Sequence, residues 1–405
     1  MSTSSAVPSD ASAPTSSLRS WLSVGSVALG AFAFVTTEYM PVGILPQIAN
    51  DLEVSQGTAG LMVTVPGIVA AISAPALLFG AGRFNRRLIL LLLSVLLLAS
   101  NLISAYATSF PVMLAGRALL GAALGGFWTV ALGASGRLVN AQSAAKAMAV
   151  IFGGITLATV LGVPFGTFIS HLFTWRAAFI ATSVLVAVAL IAQAVLLPSL
   201  PSQGAVSISG LRALMRRANP RRGALLVLLV IGAHFASYTY IAPLLEVSEL
   251  FTPSMITAIL LGFGVVGMIS NFAISSPAGK NLSASLFWMV GLLMLALASL
   301  PLLRGVSAGM ILAVLAWGIA YGAVPLCLSL WMSQSTPDLP EAGSAILVSS
   351  FQVAIALGSL GGGVVVDHLG VAATMWVGAS LAALSLIVMA GFGLGSRDLG
   401  EVEAV

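Results

Sequence analysis

The chain has 405 residues, of which 59% are hydrophobic and 7% are charged, and its mean hydropathy is +1.08. Soluble proteins carry about a quarter charged residues, so this composition excludes a soluble globular protein. The net charge of +4 comes from few basic residues, which follow the loops and do not form a nucleic-acid-binding patch. The single cysteine, Cys327, excludes a disulfide framework.

Apolar segments recur twelve times along the chain, and most are close to the ~20 residues that cross a bilayer as a helix. We therefore predict an all-α polytopic membrane protein, with twelve transmembrane helices in two pseudo-symmetric six-helix bundles. The predicted spans are 21–46, 57–80, 88–107, 111–134, 146–170, 177–197, 223–246, 254–275, 284–303, 308–331, 343–366 and 371–394.

Polar segments divide this pattern into domains. Residues 198–222 are the longest polar interruption, are rich in Pro, Ser and Gly, and hold five arginines. They are predicted to link an N-terminal bundle, 21–197, to a C-terminal bundle, 223–394. Residues 1–20 have no cationic segment ahead of an apolar core, so they are predicted to be a disordered tail and not a signal peptide. Residues 395–405 form a second predicted tail.

The basic residues predict the orientation. Twelve crossings place both tails and the linker on one side of the membrane. Thirteen Lys and Arg residues lie on that side, and only Arg176 and Arg304 lie on the other. Because Lys and Arg concentrate in cytoplasmic loops, both termini are predicted to be cytoplasmic.

The two groups of six spans share a glycine pattern, with offsets of 196 and 197 residues. An almost constant offset on both sides of the linker favours a duplicated six-helix unit. Parallel repeats of this kind bind substrate near the membrane midplane between the halves. The matched glycines are Gly162 and Gly166 with Gly358 and Gly362, and Gly121 and Gly125 with Gly318 and Gly322.

Two opposite charges lie inside apolar spans. Glu38 belongs to the first span and Arg117 to the fourth, and helical rise places both at a similar depth in the outer half. Charges in such helices are costly and usually mark a relay or a substrate path. We expect Glu38 to exchange a proton in an environment controlled by Arg117. A static ion pair between the helices and a snorkelling pair at the interface are the alternatives.

The short loop after the second span carries Arg83, Arg86 and Arg87. Orientation in the membrane already explains cations in a cytoplasmic loop. A conformational latch is the second interpretation, in which these arginines pair with acidic groups in one state only.

The fifth span contains Gly162, Pro164 and Gly166. Small residues four apart allow close helix packing, and a proline bends a helix by removing one backbone hydrogen bond. Such a helix favours a role in rocking between domains, although structural packing alone also explains each glycine.

Polar and aromatic side chains inside the spans are candidates for a substrate cavity. His234 lies near mid-span, where it is either a substrate or proton group or a hydrogen-bonded packing residue. The sequence contains no P-loop, metal cluster or nucleophile triad, which argues against an ATP-driven pump and an enzyme. We expect a proton gradient and no cofactor. The candidates are Phe127, Trp128, His234, Tyr238, Asn271, Trp317, Tyr321 and Gln352.

Three segments resemble the twelve-span drug:proton antiporter group of the major facilitator superfamily, and the resemblance covers roughly residues 20–395. Residues 37–52 are similar to the group's first-helix signature, in which the position of Glu38 is linked to proton or substrate handling. Arg117 and the glycine four residues later are similar to the fourth-helix motif, whose arginine is assigned to proton coupling. Residues 162–179 are similar to the antiporter motif of the fifth helix and the following loop.

The loop after the second span departs from the family pattern, because Gly82 replaces an aspartate and Asn85 replaces a glycine. A latch that depends on that aspartate is therefore in question. Within the group, the chain resembles purine ribonucleoside efflux pumps and, after them, arabinose and sugar efflux permeases. The segments that carry this resemblance are 124–128, 149–153, 200–202 and 342–344.

The resemblance implies a proton-coupled efflux transporter, an antiporter that exports a small neutral solute such as a purine nucleoside by alternating access. The alternatives are multidrug or amphenicol-type antibiotic efflux, sugar efflux, an uptake symporter, and a membrane sensor or scaffold that transports nothing. The expected partners are the small-molecule substrate, protons and the lipid bilayer, without nucleic acid. The expected state is a monomer in a bacterial inner membrane.

Overall fold

The computed structural model describes residues 17–80, 84–135, 137–140, 143–201 and 208–391, and no strand occurs within them. The helices are α1 Leu18–Asp51, α2 Gln56–Ala59, α3 Leu61–Gly80, α4 Arg86–Ala105, α5 Phe110–Ser135, α6 Ala144–Leu172, α7 Trp175–Leu196, α8 Ile208–Arg216, α9 Ala218–Tyr238, α10 Ile241–Val247, α11 Pro253–Lys280, α12 Leu282–Leu302, α13 Ser307–Ser335, α14 Pro340–Leu369 and α15 Val371–Gly391.

Twelve helical segments of the described chain are long and apolar enough to cross a membrane. Ten of them consist of one helix each, while α2 with α3, and α9 with α10, form one segment each. This finding confirms the predicted all-α class and the predicted number of crossings. The N-terminal half comprises α1 to α7 and the C-terminal half comprises α9 to α15, with the short helix α8 between them.

The exact domain boundaries stay predictions. Helix α9 begins at Ala218, inside the predicted linker 198–222, and α8 also lies within it. The predicted tail 395–405 lies outside the described residues. The tail 1–20 enters the described chain only at Ser17, immediately before α1 begins.

Positions across the membrane are given relative to two faces of the molecule, called the near face and the far face. The near face carries Ser17 and Gly391, the first and last described residues, because an even number of crossings returns the chain to its starting side. The far face carries Asp51 at the end of α1 and Asp367 near the end of α14.

The matched glycines pack alike in the two halves. Gly162 of α6 lies against α1, where an added Cβ would be 3.4 Å from the Cα of Thr36. Gly358 of α14 lies against α9, where an added Cβ would be 2.6 Å from the carbonyl oxygen of Gly232. Thr36 and Gly232 are separated by the same 196 residues as the two glycines. The repeat therefore extends from the spacing of the sequence to the packing of the helices.

The other matched glycines also lie at close contacts between helices. Gly121 and Gly125 of α5 lie against α3, and Gly318 and Gly322 of α13 lie against α11. Each glycine allows two helix backbones to approach closely, which is how helices pack tightly where lipid supplies no hydrophobic driving force.

The two halves meet at the far face. Helix α3 packs against α14, and α6 packs against α11, where a Cβ added at Gly264 would be 2.7 Å from the Cα of Val160. Four hydrogen bonds join the halves toward this face and close the protein there. These bonds are Ser55 Oγ to Asp367 Oδ2 at 2.7 Å, Gly57 N to Asp367 Oδ1 at 2.9 Å, Ser359 Oγ to the Gly60 carbonyl at 3.1 Å, and Thr257 Oγ1 to Thr167 Oγ1 at 3.0 Å.

Candidate transport site between the two halves

Arg117 is completely buried in α5 and binds main-chain carbonyl groups of two other helices. Its Nε donates to the carbonyl of Met62 in α3 at 2.8 Å. Its two terminal nitrogens donate to the carbonyls of Thr37 at 2.9 Å and Glu38 at 3.3 Å, both in α1. The guanidinium group is therefore a crosslink between α1, α3 and α5, made entirely of charge-assisted hydrogen bonds.

Prolines explain why these carbonyl groups are available. In an α-helix, a carbonyl oxygen accepts a hydrogen bond from the N–H four residues later. Pro41 follows Thr37 by four residues and Pro66 follows Met62 by four, and proline has no N–H to donate. Each proline thus leaves one buried carbonyl without its helical donor, and Arg117 supplies the missing donor to both.

Glu38 is almost fully buried, with a relative exposure of 6%, and lies on α1 beside Arg117. The carboxylate does not form a salt bridge with the guanidinium group: within the described residues, the ion pairs are Arg176 with Asp51 and Arg217 with Asp338. The alternative of a static ion pair between Glu38 and Arg117 is therefore not realised in this conformation. Arg117 acts on Glu38 through its positive field and through the Glu38 main chain, and the carboxyl group keeps its proton-binding oxygens free of a direct cation contact.

The segment of α1 that carries Glu38 contacts the C-terminal half. Tyr39, the next residue in α1, stacks on Phe235 of α9 with ring centroids 6.0 Å apart. Gln352 of α14 is also buried, with a relative exposure of 4%, and its amide Nε2 has no hydrogen-bond partner among the described residues. The carboxyl group therefore lies between the two halves, which is where the repeat predicted a substrate site.

An aromatic cluster, consisting of His234, Tyr238, Phe263, Trp317 and Tyr321, forms the adjoining wall of the C-terminal half. The imidazole of His234 stacks on the Tyr321 ring, with centroids 3.3 Å apart and planes at 4°. Trp317 Nε1 donates a hydrogen bond to His234 Nδ1 at 3.0 Å. Since Nδ1 is the acceptor, the proton of the neutral imidazole resides on Nε2. The tryptophan thus fixes both the orientation and the tautomer of His234.

Glu38 and His234 occupy equivalent positions in the repeat. They are 196 residues apart, the same offset that relates Thr36 to Gly232 in the packing of the repeated helices. The duplicated unit therefore places one buried ionisable group in each half, an acid in α1 and an imidazole in α9. Arg117 has no such counterpart, because the corresponding residue of α13 is Val314.

Some predicted cavity residues lie elsewhere. Phe127 is fully buried in the core of the N-terminal half, where it stacks on Phe34 of α1 at 4.3 Å, and Trp128 packs on Phe127 edge-on. Asn271 is half-buried in α11, eight residues beyond Phe263 and therefore about 12 Å nearer the near face. The structure does not bring these three residues together with Glu38. His234, Tyr238, Trp317 and Tyr321 do converge in the aromatic cluster, and Phe235 connects this cluster to Tyr39, the residue after Glu38. Gln352 is buried in α14.

The predicted gating residues are three arginines after the second span and three residues of the fifth span, and the arginines are described first. Arg83 lies outside the described residues, while Arg86 and Arg87 begin α4. The Arg87 guanidinium group donates to the Ala194 carbonyl of α7 at 2.6 Å, a contact within the N-terminal half. This contact stabilises the near end of that half and does not bridge to the other.

Helix α6 does lie at the interface between the halves. Gly162 and Gly166 pack against α1, Pro164 is buried between them, and the opposite contacts of α6 are with α11 of the C-terminal half. The position agrees with the expected role in rocking, and that role stays a prediction.

Sequence reasoning missed Met62 and Thr37 as partners of Arg117. The signal was present in the chain, since Pro41 and Pro66 each lie four residues after one of these carbonyls. What the sequence did not show was that α1 and α3 turn both freed carbonyl groups toward the same side chain of α5.

Comparison with known proteins agrees with this architecture. The profile of the Major Facilitator Superfamily matches residues 27–346, which is more than half of the chain. The chain belongs to this family. It is a transporter that spans the membrane twelve times, and its relatives and fold are those of transporters and not of enzymes.

Among relatives, the chain is similar to the purine ribonucleoside efflux pump NepI of Salmonella paratyphi B, with 34% identity over 372 residues, covering 91% of this chain and 93% of that protein. The pump of the same name from Salmonella typhimurium matches with the same identity and coverage. Among solved structures, a D-xylose-proton symporter has a TM-score of 0.75 at 16% identity over 93% of this chain and 98% of that one. The human organic anion transporter MFSD10 has a TM-score of 0.69 at 17% identity over 91% and 99%. These structures show the fold alone.

Proposed function

We propose that this protein is a proton-coupled antiporter that exports a purine nucleoside or a similar small, neutral, ring-bearing solute. The observation that carries the proposal is the position of Glu38, a buried carboxyl group between the halves that no cation neutralises by direct contact. Buried acids in membrane-spanning helices mark proton relays and substrate paths. The similarity to purine ribonucleoside efflux pumps over more than nine-tenths of the chain supports the substrate class and the direction.

The aromatic cluster supports a planar substrate. Its rings offer stacking surfaces for a heteroaromatic base, while Glu38 and Gln352 supply acceptors and donors at its edge. The same surfaces suit a planar antibiotic, so multidrug efflux is the second candidate function.

The orientation follows from charge. The near face carries the basic linker residues Arg212, Arg216 and Arg217, and cytoplasmic loops concentrate such residues. We infer that the near face is cytoplasmic and that the membrane is the inner membrane of a bacterium. The conformation closed at the far face is then the one that receives solute from the cytoplasm. Protons drive the cycle without a cofactor, and one chain, holding both halves, acts as a monomer.

A transport assay with a solute panel tests this proposal. Everted membrane vesicles are given an imposed pH gradient, acidic inside, together with radiolabelled guanosine, arabinose or chloramphenicol. The proposal predicts gradient-dependent guanosine accumulation that a protonophore abolishes. Accumulation of chloramphenicol without guanosine would establish the multidrug alternative, and arabinose alone would establish sugar efflux. Guanosine entry into right-side-out vesicles in symport with protons would show an uptake symporter, and no flux of any solute would favour a sensor.

A further inference from the structure

Tyr39 of α1 and Phe235 of α9, which stack on each other across the boundary between the halves, occupy equivalent positions in the repeat. They are 196 residues apart, the offset that also relates Gly162 to Gly358. Their ring planes meet at 23°, with the centroids 6.0 Å apart. Residues that a two-fold axis relates can touch each other only at that axis. The stacked pair therefore lies on the approximate two-fold axis between the halves.

The main contacts between the halves are arranged about the same axis. The repeat relates α6 to α14 and α3 to α11, and the halves meet through α3 with α14 and through α6 with α11. The pair of Tyr39 and Phe235 lies between these two contacts. Because substrates of repeat transporters bind between the halves, a solute held at the axis meets these two rings, and the rings separate when the halves rock.

Tyr39 is less enclosed than its neighbours in α1. Every other residue from Ala33 to Pro46 is buried, whereas Tyr39 is half-buried. Since its ring stacks on the opposite half, the exposed part of the side chain borders the space between the halves. The stacked pair of Phe34 and Phe127 differs, because both of its rings are fully buried inside the N-terminal half.

Three tyrosines around Phe235 have hydroxyl groups that are free to bind a solute. The rings of Tyr39, Tyr238 and Tyr321 lie 6.0, 6.4 and 6.4 Å from the Phe235 ring, between centroids. Their hydroxyl groups form no hydrogen bond within the described chain, and their oxygen atoms are not fully enclosed. The Tyr240 hydroxyl, in contrast, donates to a carbonyl group of α14. Aromatic faces combined with a few polar groups are typical of small-molecule sites.

We propose that Tyr39 and Phe235 form a base-binding clamp, in which the planar ring system of the solute stacks between one aromatic ring from each half. This inference rests on the substrate class of the proposed function and not on its proton coupling. When the halves part, the two rings lose their mutual contact. A planar ring inserted between them, at about 3.5 Å from each, restores an apolar contact on both faces. A non-planar solute fills the same gap poorly, so the clamp selects planar rings.

Fluorescence titration of the purified full-length protein tests the clamp. The probe is 2-aminopurine riboside, a purine nucleoside whose emission is quenched when its base stacks on an aromatic ring. We expect Tyr39→Leu and Phe235→Leu each to weaken binding about tenfold, the effect of one lost stacking contact on a base, and to reduce the quenching of the bound probe. Phe235→Tyr keeps the ring, so we expect it to retain both the affinity and the quenching.

Phe34→Leu is the matched control, because it removes a ring from a stacked pair that does not touch the other half. Equal losses of affinity and quenching in this control would overturn the inference, as would full quenching in both leucine variants at Tyr39 and Phe235. These outcomes leave nucleoside binding, and with it the proposed substrate class, intact.

Photolabelling of the wild type gives a second readout that needs no variant. After irradiation with 8-azidoguanosine and peptide mass spectrometry, we expect adducts in the segments of α1 and α9 that carry Tyr39 and Phe235. Adducts confined to other helices would overturn the clamp.

Failure of the proposed substrate class has a different signature. If the wild type binds no purine nucleoside, that class is refuted, and titration of the same variants with chloramphenicol decides the clamp. Weaker chloramphenicol binding in both leucine variants, but not in Phe34→Leu, supports stacking of another planar solute. A wild type that binds arabinose alone, or no aromatic solute, would overturn the clamp as well.

Discussion

Pro41 lies four residues after Thr37 in α1, and the carbonyl group that it leaves without a helical donor is the one that Arg117 binds. Pro66 and Met62 have the same relationship in α3. A guanidinium group in an apolar bundle needs acceptors for its five N–H groups. Here three main-chain carbonyl groups accept from it, and two of them are freed by prolines. The Glu38 carboxylate is thereby left available for proton exchange.

Replacing either proline tests this relationship. Pro41→Ala restores an N–H that competes with Arg117 for the Thr37 carbonyl. The substitution improves the helix by about 3 kcal/mol of propensity and weakens a charge-assisted hydrogen bond of about 1.5–3 kcal/mol, so we expect little change in the melting temperature. We expect pH-driven transport to fall severalfold, because the guanidinium group is no longer fixed beside Glu38.

Pro46→Ala is the control for this experiment. Pro46 also lies inside α1, but its position is not one of the two that free a carbonyl for Arg117. Equal transport rates in Pro41→Ala and Pro46→Ala would contradict the role of the freed carbonyls.

The shape of the Arg117 side chain is as important as its charge. Lysine is a point charge without the planar fork that reaches carbonyls on two helices. We expect Arg117→Lys to lower stability by about 2–4 kcal/mol, since at least one charge-assisted hydrogen bond has no equivalent. Thermal unfolding of the purified protein measures this loss.

Arg176→Lys provides the comparison at an exposed site. Arg176 pairs with Asp51 at 2.6 Å on the far face, and exposed pairs contribute about 0–1 kcal/mol. A fall in melting temperature for Arg117→Lys no larger than that for Arg176→Lys would show that the crosslink is not specific to the guanidinium group.

Asp367 holds the far face closed. Its carboxylate accepts hydrogen bonds from Ser55 and from the Gly57 N–H, and Asp367→Ala removes both acceptors. At about 1 kcal/mol for each bond, we expect the ratio of far-open to far-closed molecules to rise roughly 10- to 30-fold. Electron paramagnetic resonance between spin labels at Ser109→Cys and Ser307→Cys, both exposed far-face positions, measures this ratio.

Glu246→Gln removes another exposed carboxylate near the far face and makes a suitable control, because Glu246 forms no ion pair among the described residues. The closure assigned to Asp367 is contradicted if its alanine variant gives the wild-type distance distribution.

The indole of Trp317 orients the aromatic cluster. Trp317→Phe keeps a ring but removes the hydrogen bond to His234 Nδ1. The loss of about 1 kcal/mol corresponds to a roughly fivefold higher KM for guanosine, with kcat retained. Trp331→Phe is the matched control, since Trp331 on the same helix donates to Asn219 near the near face. An equal KM in the two variants would exclude a role of this hydrogen bond in binding.

Hydropathy was sufficient to predict the twelve spans, because each helix must satisfy its backbone within an apolar solvent. Glu38 and Arg117 were also recognisable, since charges are rare in such segments. The sequence did not show which face of α5 is turned toward the second half. Because apolar residues occupy every side of α5 around these positions, the sequence predicted Phe127 and Trp128 to line the cavity. In the structure they pack inside the N-terminal half.

The break within the seventh span combines a sequence signal with a tertiary contact. Helix α9 gives way to α10 at Thr239 and Tyr240. Pro243 lies four residues after Thr239 and leaves the Thr239 carbonyl without a helical donor, so the sequence held this signal. The hydrogen bond from the Tyr240 hydroxyl to the Ser359 carbonyl of α14 is a contact that the sequence did not show.

The most direct test of the central claim measures proton and guanosine fluxes together in proteoliposomes containing the wild type or Glu38→Gln. We expect the wild type to move protons in the direction opposite to guanosine, with a pH-sensitive dye reporting them. We expect Glu38→Gln to lose pH-driven transport and its proton flux while retaining guanosine–guanosine exchange. Proton-coupled transport at the wild-type rate in Glu38→Gln would contradict the account.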